Sequence, residues 1–259
     1  MSGNLIFSLF FLLLVPIEMG GNNIMKKIDT EFSLQTVPQT SRNSFAKTMA
    51  VMLGFTFFSA SMLAGGQLGL SLTFSQFLLV ILLGNLALCL YTGTLAHIAA
   101  KMGLSTHLLA KYSFGEKGSY LPSFLLGFTQ VGWFGVGVAM FAVPIAKEMG
   151  WNSYLLIFIF GMVITLASLY GMKSLVILSF IAVPLIAILG SYSAIEAIET
   201  MGGLRALFDY EPKTSLTISA ALTICIGSFI SGGTLTADFA RFAKTSRSAV
   251  AATSTAFFL

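Results

Sequence analysis

Two stretches of this chain decide how it folds: GFTFFSASMLAGGQLG, from Gly54 to Gly69, and ICIGSFISGGTLTADF, from Ile224 to Phe239. Each is apolar enough for a membrane helix, and each is interrupted by serines and glycines where such a helix would stay regular. Superposed, Phe57-Phe58-Ser59-Ala60 falls on Phe229-Ile230-Ser231-Gly232, an offset of 172 residues. Unwound backbone exposes N–H and C=O groups, which hydrocarbon penalises unless a buried ligand or ion takes them up. Two broken helices in matching places therefore predict a transporter built on an internal repeat.

The rest of the composition agrees. Hydrophobic residues make up 56% of the chain and charged residues 9%, with a mean hydropathy of +0.89, which excludes a water-soluble domain of this length. No run alternates cleanly enough for a membrane barrel, so the spans are helical. They are expected at 46–70, 74–99, 121–145, 153–169, 176–195 and 216–239, with a seventh starting near Ala249 and cut off at Leu259. The transmembrane domain is thus 46–259, preceded by a polar cytosolic arm at 25–45. Residues 1–24 read as a misassigned extension: Leu5 to Pro16 is too short to span and has no basic residue before it, whereas Met25-Lys26-Lys27 looks like a natural start.

Walking through these spans with the N-terminus inside leaves 11 of the 14 basic residues in the cytosol and only Lys147, Arg205 and Lys213 outside. That bias predicts an N-in orientation in the cytoplasmic (inner) membrane. The same scatter of basic residues, at a pI of about 9.1, argues against nucleic acid as a partner. Cys89 and Cys225 sit in apolar windows and support neither a disulfide framework nor a zinc site. The 101–120 loop reads as a short interfacial helix capped at Ser105 or Thr106, and the 196–213 loop as a solvated connection.

The third span carries Gln130 and Trp133 three residues apart, with Gly137 one turn further, so amide, indole and a gap share one face. A planar heterocycle would satisfy the amide while stacking on the indole; Gln130 bonding to a neighbouring helix, with Trp133 filling space, is the equally open alternative. In the sixth span the break is placed at Ser228 to Thr234. Phe229 would cover a ring held by Trp133, and backbone groups around Ser228 to Ser231 would read its edge. The first-span break, Thr56 to Ser61, offers carbonyls suited to Na+. No Asp, Glu, Lys or Arg lies near the middle of any span, so a neutral substrate fits best. Asp238 and Arg241, one turn apart at the cytosolic end, read as an interfacial salt bridge or gate element; His97 and His107 read as ordinary interfacial histidines. The lack of a Walker-type loop, paired membrane aspartates or HExxH leaves no support for an enzyme, and no cofactor is expected.

The strings VMLGFTFFSAS (51–61), THLLAKYSFG (106–115), TQVGWFGVGVAMFAVP (129–144) and GSFISGGTLTADFARF (227–242), in this order and spacing, closely resemble the nucleobase cation symporter-1 family. The resemblance covers Met25 onward. It implies an all-α membrane protein, here the N-terminal half of a transporter of roughly twelve helices with a five-plus-five inverted repeat and discontinuous first and sixth helices. It places the substrate sandwich on Trp133 and Phe229, the polar readers on Gln130, Ser228 and Ser231, and sodium-binding carbonyls at Gly54 and Phe57. The remaining sodium ligands belong to an eighth helix beyond Leu259. The implied activity is Na+-coupled import of cytosine by alternating access, within the lipid bilayer and with no obligate protein partner. A permease for another nucleobase, hydantoin or vitamin, a passive channel, and a nonfunctional truncated remnant are the rival expectations.

Overall fold

The computed structural model describes residues 32–258 apart from 169, 170 and 213; the expected extension at 1–24 lies outside them. The described residues form helices in sequence, and their one β-type pairing is an isolated parallel bridge between Asn43 and Ala243. The first span is two helices, α1 (Phe45–Thr56) and α2 (Ser59–Ser71), bent by 56° at their break. Helix α3 (Phe74–Met102) starts at a capping box of Thr73 and Gln76 and stops at Gly103, whose φ of 70° only glycine adopts cheaply. At 1.5 Å per residue its 29 residues run about 43 Å, ample for a hydrocarbon core of about 30 Å.

Helix α4 (Thr106–Gly118) follows, with the Ser105 hydroxyl accepting from the Leu108 amide as its N-cap. Then come α5 (Tyr120–Met149), α6 (Ser153–Ser168), α7 (Gly171–Thr200), α8 (Leu204–Phe208), α9 (Ile218–Gly227), α10 (Ile230–Thr234), α11 (Thr236–Ala240) and α12 (Ser246–Phe258). Among the described residues α3, α5 and α7 are long and apolar enough to cross a membrane, and the bent α1–α2 pair makes a fourth such span. The fourth expected span is α6, described from Ser153 to Ser168, and the sixth is divided among α9, α10 and α11, with its break where the sequence placed one.

Small side chains let α3, α11 and α12 pack closely. Ala96, Ala99 and Ala100 of α3 meet Ala237, Ala240, Ala243 and Ala249 with almost no exposure, the kind of contact that holds helices together where lipid removes the hydrophobic drive. Met52, Leu88, Ala252, Ala256 and Phe257 join α1, α3 and α12 in a second cluster. Large apolar side chains such as Phe124, Phe158 and Ile181 stand exposed on α5, α6 and α7, as a lipid-embedded surface permits and a water-soluble one does not.

Of the two readings of Asp238 and Arg241, the salt bridge needs correction. The Asp238 carboxylate accepts from the amide (3.1 Å) and hydroxyl (2.8 Å) of Thr106, capping α4 rather than pairing with Arg241. Arg241 instead donates from Nε to the Asp238 main-chain carbonyl. Capping wins because Thr106 presents two donors at a helix start, where negative charge is favoured. Nearby, Arg42 gives its guanidinium to the carbonyls of Val37, Ala100 and Ala243, tying the arm to the ends of α3 and α11. Burial pushes its pKa below the usual arginine value. His97 and His107 bond Ser246 and Ser123, as interfacial histidines do.

Candidate substrate site

The two helix breaks both border one cavity of about 800 Å³, within the range of small-molecule sites. Gly54, Phe57, Gln130, Trp133, Ser228, Phe229 and Ser231 all line it, so every site residue read from the sequence is gathered at one place. Its lining is otherwise mostly apolar and aromatic, with no charged side chain.

The first break is shorter than expected. Only Phe57 (ψ 73°) and Phe58 (ψ 131°) leave the helix, not the whole of Thr56 to Ser61. The hydrogen-bond shifts there are specific. The Phe58 amide, which a continuing helix would give to the Gly54 carbonyl, turns to the Thr56 carbonyl at 2.8 Å. The Ser61 amide, due to the Phe57 carbonyl, goes to Phe58 at 3.0 Å. Gly54 and Phe57 are thus among the carbonyls whose helical main-chain donors the break diverts.

The second break is also more compact than expected. Ser228 and Phe229 leave the helix and Leu235 interrupts it again, but Ile230 to Thr234 stays helical. The Phe229 amide bonds the Ile226 carbonyl at 3.2 Å, and the Ser228 hydroxyl occupies the Cys225 carbonyl at 2.8 Å. Among the described residues no main-chain acceptor takes the amides of Ile230, Ser231 or Gly232. The Gly227 and Ser228 carbonyls likewise receive no main-chain donor there. Donors and acceptors therefore stand side by side along the break.

Gln130 brings the third polar group. Its Nε2 is buried and has no hydrogen-bond partner among the described residues. An unsatisfied buried amide costs about 1–3 kcal/mol, so it marks a place where a partner belongs. Trp133, one turn along α5, is held edge-on by Phe58, with ring centroids 5.9 Å apart and planes at 79°. Phe229 is braced edge-on by Phe55 (5.2 Å, 83°) and Phe257 (5.4 Å, 84°).

Sequence reading missed three contributors. Phe58 props Trp133, and Gly137 makes room for it: a Cβ there would stand 3.2 Å from the Phe58 ring. Phe55 braces Phe229. Ser179 of α7 is buried in the cavity wall against Gly54, where a Cβ would fall 2.3 Å from its hydroxyl oxygen. A lone serine amid apolar residues was its only signal.

Comparison with known proteins fits this geometry. Residues 36–259 match the model of the family described as permease for cytosine/purines, uracil, thiamine, allantoin. The chain belongs to this permease family. The cytosine permeases of three Escherichia coli strains are each 53% identical over 231 residues, covering 89% of this chain and 55% of theirs. The chain therefore spans about half the length of these curated relatives of the permease family. A solved nucleobase-cation-symport-1 family transporter, in a closed conformation with bromovinylhydantoin bound, shares the fold with a TM-score of 0.77 at 20% identity. That likeness takes in 87% of this chain and 53% of that one. The permease fold, with its first and sixth spans discontinuous, is the one observed here, in an all-α multi-pass membrane protein.

Proposed function

We propose that this chain carries the substrate-binding portion of a secondary transporter that imports cytosine across the cytoplasmic (inner) membrane. The observation that supports it most is the buried, unpartnered Gln130 amide beside Trp133 in a cavity bordered by both helix breaks. Cytosine is planar, neutral and has adjacent donors and acceptors on one edge. Its ring would lie between Trp133 and Phe229, each stacking contact contributing about 1–3 kcal/mol. Its edge would pair with Gln130 and with the unoccupied amides and carbonyls at Ser228 to Ser231. Uracil exchanges the exocyclic amine for a carbonyl and would leave buried groups unpaired, which is how such a site discriminates.

Coupling to Na+ is supported by the Gly54 and Phe57 carbonyls, whose helical donors are diverted at the break. Ion occupancy would hold the broken first span in its substrate-ready form, and alternating access would then carry base and ion inward. An N-terminus in the cytosol is supported by the weight of basic residues on that side. Equilibrium binding of labelled cytosine to the purified chain, with and without Na+ and with uracil, adenine, hypoxanthine and allantoin as competitors, tests the reading. Saturable, Na+-enhanced binding displaced best by cytosine is expected. Stronger displacement by another base would reassign the substrate, and no saturable binding of any of them would overturn the proposal.

A further inference from the structure

The first span sends one ring towards each wall of the substrate cavity. Phe58, at the break, meets Trp133 on α5. Phe55 reaches the opposite wall: its ring lies 5.2 Å from Phe229 at 83°, 4.6 Å from Phe239 at 42° and 6.4 Å from Phe257 at 68°. Gly232 is where this cluster comes down on α10, since a Cβ there would stand 3.1 Å from the Phe229 ring and 3.4 Å from the Phe55 ring. A residue of the first span is thus embedded among the rings that frame the second break.

The backbone beneath Phe55 gives those contacts a use. Phe55 sits in the last turn of α1, closed by the Phe57 amide on the Leu53 carbonyl at 2.9 Å, and the helical main-chain donors of the Gly54 and Phe57 carbonyls are diverted there. Turns short of hydrogen bonds are the parts of a structure that open most readily. A cation held by the two carbonyls would fix this turn, and with it the place of the Phe55 ring. The second break is soft for the same reason: the amides of Ile230, Ser231 and Gly232 have no main-chain acceptor among the described residues. Close-packed rings move between discrete arrangements rather than deforming, so a fixed Phe55 holds Phe229 in one of them.

We infer that Phe55 is a positioning residue that passes ion occupancy from the first break to the second, setting the Phe229 ring and the α10 backbone before the base arrives. This role rests on the reading of the Gly54 and Phe57 carbonyls as the Na+ site. Phe55 borders the substrate cavity, but it acts through Phe229 rather than by stacking on the base.

The test is hydrogen exchange, followed by mass spectrometry, on the purified chain with no base present, in Na+ or in choline at equal ionic strength. Wild type, Phe55→Leu, Phe55→Met and Phe229→Leu are compared. In wild type, Na+ should slow exchange in the peptide across the first break. It should also slow the peptide from Phe229 to Leu235 by about fivefold or more, where the Gly233 and Leu235 amides bond the Phe229 and Gly232 carbonyls at 2.7 and 2.8 Å. Each variant should keep the first response and lose the second, with α3 as protected as in wild type. A purely structural Phe55 would change overall protection without separating the two responses. Phe229→Leu cuts the same contact from the other side, so a folding defect in the Phe55 variants leaves it decisive. A second-break response that persists in the variants overturns the inference. So does a wild type whose first break responds while its second does not, a result that leaves the Na+ reading standing. A wild type in which neither break responds removes the Na+ reading, and the role of Phe55 with it.

Discussion

Replacing Gly54 by alanine should force α1 and α7 apart. The new Cβ would stand 2.3 Å from the Ser179 Oγ and 2.9 Å from its Cβ, where ordinary contact begins at 3.4 Å. The wall must retreat by roughly 1 Å, and overpacking of this kind costs about 1–3 kcal/mol. Ser179→Gly removes both close atoms and leaves the Ser179 Cα at 3.5 Å, an ordinary contact. Alone it costs about 0.5–1 kcal/mol, as glycine does inside a helix. The Gly54→Ala, Ser179→Gly double variant should therefore be more stable than Gly54→Ala alone, a positive coupling that two independent lesions never give. Thermal unfolding of the detergent-solubilised chain, followed by circular dichroism, measures all four corners of the cycle. Labelled cytosine binding should track the same order, since Gly54 and Ser179 both line the cavity. A Gly54→Ala protein as stable as wild type, or a double variant no better than Gly54→Ala, would refute the reasoning.

Trp133→Ala should weaken cytosine binding about 5- to 150-fold, the equivalent of one lost stacking face, with Trp133→Phe falling between the two; binding isotherms give both values. Gln130→Leu should move two readouts in opposite directions, weakening cytosine binding while raising the melting temperature of the ligand-free chain, because it removes a buried unpaired amide. Asp238→Ala should free α4 from the end of the sixth span at a cost of about 1–3 kcal/mol, seen as faster proteolysis at Lys111 and Lys117, with Asp238→Asn retaining part of the tether through its carbonyl oxygen. The Arg42 staple should be insensitive to pH. Its lowered pKa would make stability rise only as pH passes that folded value, which for a guanidinium lies above the working range, so melting curves between about pH 6 and 9 should overlay.

Much of the fold was legible because membrane helices announce themselves by apolar length, and because serine and glycine runs at Phe57 and Phe229 are costly in lipid unless used. The Ser105 cap was legible from its own residue type. What escaped the sequence depends on which helices touch. Ser179 matters only because α7 lies against Gly54, and nothing local to VILSFIAV encodes that approach. Phe58 was visible as part of the break but not as the prop of Trp133, since the pairing joins residues on α1–α2 and α5. The expected Asp238–Arg241 pair failed because periodicity on one helix does not reveal a competing donor on another, here Thr106. The lengths of the breaks were overestimated for a related reason: Ile230 to Thr234 closes a helical turn that its glycines alone do not predict.

The chain has two tryptophans, and Trp151 lies exposed between α5 and α6, so Trp151→Phe leaves Trp133 as the sole indole reporter. Titrating that variant with cytosine while recording indole fluorescence tests the stacking site most directly. Saturable quenching that tightens in Na+ and is lost in the further Gln130→Leu change is the predicted result. Quenching that never saturates, or an emission indifferent to cytosine at every Na+ concentration, would contradict it.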